Sequence, residues 1–100
     1  MPVPHLPWQP SPSQLRELAL GSTVYPAPYG RMPSAVGSAD VIANAAGWTH
    51  HWPAAAVYRV RQKRSDWPAP RWVARLVIAV PDRETGRPWW GVATLCSWPV

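Results

Sequence analysis

Proline punctuates this sequence from one end to the other. Fourteen prolines in 100 residues work against long regular elements, because each fixes its own φ and removes a backbone donor. Those at positions 2, 4, 7, 10 and 12 enforce an extended, polyproline-like arm over residues 1–11 and forbid a helix there. The remaining residues, 12–100, make one small domain with room for a single modest core.

Residues 57–96 are the stretch around which the domain is organised. They read as three strands, 57–63, 71–80 and 88–96. A Pro-containing connection at 65–70 joins the first pair, and a hairpin turn at Asp82-Arg83-Glu84-Thr85-Gly86 joins the second. The implied unit is an antiparallel meander. Two short helices are expected to cover it, giving an α+β domain. For the first helix, Ser11-Pro12-Ser13-Gln14 supplies an N-cap, a proline at N1 and a capping box. Leu15, Leu18 and Ala19 follow as an apolar stripe, and Gly21 closes the element. For the second, Ser38 is the candidate cap. Val41, Ala45, Trp48 and Trp52 fall at i, i+4, i+7 and i+11, so a helix ended by Pro53 is expected, with His50 turned to solvent. Between the helices the sequence reads as loop, with a short edge strand at Thr23-Val24-Tyr25 and with Tyr25 and Tyr29 as its pins.

Ten basic residues against five acidic ones give a formal charge of +5, and nine of the ten are Arg. A GC-rich coding sequence accounts for the preference for Arg over Lys and for eight Trp beside no Phe. The excess is local: residues 57–96 hold eight basic and three acidic side chains, a difference equal to that of the whole chain. Alternation along the central strand places Trp72, Ala74, Leu76, Ile78 and Val80 on one apolar face. If Tyr58, Val60 and Gln62 join that face, Arg59, Arg61, Lys63, Arg71 and Arg75 share the outer one, beside Trp89 or Trp90. Basic side chains next to an exposed ring suit single-stranded nucleic acid: Arg and Lys for phosphate, Trp for a base. Arg on the solvent side of a strand also simply keeps a sheet soluble. The outward Val73, Val77 and Ala79 fit a covering partner as readily.

The expected function is therefore a non-catalytic binding module that contacts a polyanion, nucleic acid first, through Arg59, Arg61, Lys63, Arg71, Arg75 and Trp89. The alternative is a structural or assembly subunit, of a phage particle or another multiprotein complex, as a homo-oligomer or with a protein partner. A small enzyme using His50 or His51 as a general base comes third. No catalytic motif is present: there is no G-x-S-x-G, no G-x-G-x-x-G and no P-loop. Adjacent histidines diverge on a helix and no second ligand pair exists, so neither a metal nor a cofactor is expected. Cys96, the one cysteine, reads as a buried thiol and allows no internal disulfide. A cytoplasmic location is expected, without a membrane span or a secretory signal.

Overall fold

The computed structural model describes residues 3–27 and 40–100. Its centre is the expected antiparallel meander: β3 (Ala54–Gln62), β4 (Arg71–Pro81) and β5 (Pro88–Pro99). Two short strands extend it, β1 (Tyr25–Pro26) on the outer edge of β5 and β2 (Val41–Asn44) on the outer edge of β3. The result is an open five-stranded sheet in the order β1-β5-β4-β3-β2, with every neighbour antiparallel.

One helix, α1 (Pro12–Leu20), covers one face, and it forms for the reasons the sequence gives. Ser11 Oγ accepts from Gln14 N at 3.3 Å and Gln14 Oε1 accepts from Ser11 N at 2.8 Å, which completes the capping box. Its buried residues, Leu15 and Ala19, meet Val57, Leu76, Ala93 and Leu95 in the core. Burying a Leu side chain of this kind contributes about 1.5–3 kcal/mol.

Three strands under two helices is thus corrected to five strands under one. The expected second helix does not form. Val41 and Ile42 are β-branched, Val41, Ala43 and Asn44 pair along β3 with Ile42 in the register shift between them, and Gly47 at φ 80° turns the chain. Hydrogen bonds from Trp48 N to Ala45 O (3.1 Å) and from Gly47 N to Trp52 O (3.2 Å) close a turn in place of a helix. The apolar spacing still has a purpose, because Ala45 is buried and Trp48 and Trp52 pack against the core from that turn. Ser38 and Tyr29 lie outside the described residues. The edge strand falls at Tyr25–Pro26, one step later than the spacing implied, and Tyr25 is exposed, so it pins nothing.

The arm lies on the domain. His5 bridges Ser97 in parallel, through Leu6 N to Ser97 O (2.7 Å) and Ser97 N to Pro4 O (3.0 Å). A register shift on β5 opposite Ala74 and Arg75 absorbs one extra residue, so that neighbouring Leu95 and Cys96 both enter the core. The hairpin turn between β4 and β5 is as expected, closed by Asp82 N to Arg87 O and with Gly86 at φ 69°.

Candidate nucleic-acid interface

The register of β3 decides where the basic residues go. Val57 pairs with Leu76, Arg59 with Ala74 and Arg61 with Trp72. Directly paired residues share a face, so Val57, Arg59 and Arg61 lie on the helix side. Tyr58, Val60 and Gln62 lie on the other side, with Arg75, Val73 and Arg71. The common outer face is therefore divided: Arg59 and Arg61 emerge on one side of the sheet, Arg71 and Arg75 on the opposite one. A shift of one residue in strand parity is enough to do this.

The two sets nevertheless meet at one end of the molecule. Residues 59–75 hold Arg59, Arg61, Lys63, Arg64, Arg71 and Arg75 around the β3–β4 connection, with Asp66 the one acid inside that span. The sequence concentrates charge at a pole, and a hairpin folds that pole onto both faces.

Most of these cations are occupied within the chain. Arg59 stacks on the Trp72 ring at 4.3 Å, donates from Nη1 to Gln9 Oε1 at 3.3 Å, and holds Nε 3.6 Å from Asp40 Oδ1. Arg71 is a clasp: Nε donates to Ser97 Oγ at 3.0 Å, and Nη2 donates to Leu6 O and Ser97 O, both at 3.2 Å. Lys63 Nζ donates to the carbonyls of Arg64 (2.8 Å) and Trp67, holding the connection in shape. Arg64 lies 4.9 Å over the Trp67 ring, and His5 meets that ring edge-on at 5.7 Å. Arg61 and Arg75 have no such partner among the described residues. Arg61 is exposed and Arg75 half-buried.

Trp89 does not join this group. It pairs with Val80 near the opposite end of β4, about 15–20 Å from Arg75 at strand spacing. Its ring crosses Gly91, where a Cβ would lie 2.7 Å from Trp89 Cζ3 and 2.5 Å from Val24 Cγ1. Pro88-Trp89-Trp90-Gly91 is thus a packing motif in which glycine makes room for the ring. Trp90 points to the other face, with Ala79. The aromatics beside the cations are Trp67 and Trp72. Their signals were in the sequence: Trp67 follows Arg64 by three residues, and Trp72 sits between arginines on the strand.

A cavity of about 350 Å³ opens beside Trp67, walled by His5, Arg64, Asp66, Val73, Thr94 and Ser97. It brings cationic and aromatic groups together on the face that carries Arg75. His50 and His51 lie elsewhere, exposed in the turn before β3, with ring centroids 3.7 Å apart. Neither lines this cavity. Among the described residues no group of three or more His, Cys, Asp and Glu side chains could hold a metal. Cys96 is buried in the core, and its burial pushes the thiol pKa up to about 11, the opposite of what a nucleophile needs. Among the described residues no helix is long and apolar enough to cross a membrane. Comparison with known proteins finds no matching family, no matching curated protein and no matching solved structure.

Proposed function

We propose that this protein is a non-catalytic binding module that contacts a polyanion, nucleic acid, at the basic pole around the β3–β4 connection. The observation that carries the reading is the imbalance at that pole: six basic residues against one acidic within residues 59–75, with Arg61 and Arg75 unengaged among the described residues. Both ends of the pole are flanked by a ring that already stacks a guanidinium, Trp72 under Arg59 and Trp67 under Arg64. Trp67 is buried and Trp72 half-buried, so of the two Trp72 is the indole that suits an unpaired base beside phosphate-binding cations.

The test is anisotropy of a labelled single-stranded oligonucleotide, DNA or RNA of mixed sequence, across a salt series. Displaced counterions give a slope of about −0.7 per phosphate contacted on a single strand. A combined Arg61→Glu and Arg75→Glu variant is expected to weaken binding at least tenfold at low salt and to flatten the slope. Trp89→Ala leaves the affinity unchanged. No binding at low salt overturns the reading, and so does binding that ignores salt. A stable oligomer whose mass is indifferent to nucleic acid supports the assembly reading in its place.

A further inference from the structure

The arm crosses the basic pole. Leu6 N donates to Ser97 O at 2.7 Å on the edge of β5, and Gln9 Oε1 accepts from Arg59 Nη1 of β3 at 3.3 Å. Between these contacts the chain passes β4 on the helix side, since Leu6 packs against the helix-side core and Arg59 lies on that face. Arginines hold both ends of the crossing: Arg71 Nη2 donates to Leu6 O at 3.2 Å, and Arg59 holds Gln9. Pro7 and the buried Pro10 fix φ on either side of Trp8 and Gln9. The segment between them therefore has little freedom left to lose when it meets a ligand.

Trp8 stands in that crossing with its ring in solvent. It is 69% exposed, against 63% for Tyr25 and 39% for Trp89. No ring or guanidinium stacks on it among the described residues. Trp72 and Trp67, by contrast, each carry an arginine over the ring. Position separates Trp8 from the other two exposed rings. Tyr25 pairs with Val92 and Trp89 with Val80, towards the far end of the sheet. Trp8 is the direct neighbour of Gln9, which touches Arg59. Arg61 follows on the same face of β3, about 7 Å beyond Arg59 at strand rise.

Resting on the nucleic-acid reading above, we infer that Trp8 is a platform on which an unpaired base of a single strand stacks, with Arg61 taking a neighbouring phosphate. An indole accepts any base through its π-face. The bases of a duplex are stacked on one another and withhold theirs, so a ring in this place favours single strands. Charge decides between a base and an apolar peptide side chain as the occupant. Arg59 and Arg71 anchor the crossing and Arg61 is exposed beside it, so a ligand that offers flat rings and anions together fits. Asp40, the acid that reaches this side, faces Arg59 Nε at 3.6 Å and is already answered there.

The experiment measures the anisotropy of three labelled ligands at low salt: a short oligothymidylate, the same backbone with abasic sites throughout, and a duplex. The parent chain is expected to bind the intact strand more tightly than the abasic one, a comparison that needs no variant. Trp8→Ala should weaken the intact strand at least about fivefold, the lower end of base–ring stacking. The abasic strand and the duplex should be unchanged, and so should the salt slope, because no cation is removed. Trp8→Tyr keeps a ring and should keep most of the affinity. A parent chain that binds intact and abasic strands equally overturns the inference, and so does Trp8→Ala that binds the intact strand as the parent does. Equal losses on both strands overturn it as well, since the ring would then brace the arm. In each of these cases salt-dependent binding leaves the nucleic-acid reading standing, whereas a parent chain that binds none of the ligands overturns both.

Discussion

Arg59 and Arg75 stand on adjacent strands, one residue out of register, and emerge on opposite faces of the sheet. Arg59 is enclosed by Trp72, Gln9 and Asp40. Arg75, across from Tyr58 and Thr94, is half-buried and has no hydrogen-bond, ion-pair or ring partner among the described residues. On the helix side Gln9 of the arm and Asp40 before β2 reach Arg59 while Arg61 stays exposed, and on the other side Arg71 is held by Ser97 and Leu6 while Arg75 has no such partner among the described residues. One residue type, one stretch of sequence and two neighbouring strands thus yield a brace and an open contact. Composition alone cannot distinguish the two, and strand parity does not either. Arg61 shares the face of Arg59 yet is exposed, and Arg71 shares the face of Arg75 yet is a clasp, so what decides is whether another segment reaches the side chain.

The largest expected difference between the faces lies in the core. Leu76→Ala removes a side chain with no exposure at the centre of the helix-side cluster, and is expected to cost about 2–5 kcal/mol in denaturant unfolding. Val77→Ala, on the opposite face, loses fewer methyl groups and should cost clearly less. Equal losses would mean that both faces carry a full core, which would break the contrast.

Cys96 gives a pH signature of the same helix-side core. Its pKa rises in the fold from 9.0 to about 11 because burial disfavours the thiolate. The folded state therefore holds the proton to higher pH than the unfolded chain. The thiol's contribution is fully present below pH 9 and lost as pH rises from about 9 to 11, by about 2–3 kcal/mol. Cys96→Ala should flatten this part of the stability profile relative to the parent chain. Parallel curves for the two would remove the thiol from the account.

The smallest effect sharpens the comparison most directly. Arg59→Ala should cost about 0.5–1 kcal/mol, from its stacking and exposed ion pair. Arg75→Ala should stay within about 0.5 kcal/mol of the parent, as a surface change without partners does. A substantial stability loss at Arg75 would show that it, too, is a brace.

Much of the frame was legible. The capping box at Ser11 and Gln14, the inward set Trp72 to Val80 and the Asp82–Gly86 turn each follow from local rules that tertiary packing did not oppose. The parity of β3 was not legible, because the strand starts at Ala54-Ala55-Ala56, where identical small residues carry no alternation. With the start hidden, Tyr58 and Val60 looked like the inward set. Val57 takes that role, and Tyr58 is buried on the opposite face instead. The second helix failed for a related reason. A stripe of Val41, Ala45, Trp48 and Trp52 is also what a short strand and a tight turn present to one core, and Gly47 decided between them. The basic residues were read as one surface, and the register divides them, since a hairpin can split a basic stretch between its two sides.

The arm has a temporal consequence. Its seat is Ser97, so residues 3–10 have no place to lie until β5 exists and is paired with β4. Contacts of such wide separation in the chain form late, because loop closure must come first. During synthesis the arm emerges before β5 and docks only after it. Its prolines suit that wait: they hold it extended, keep it from folding into a helix, and limit its use as a strand by a neighbouring chain.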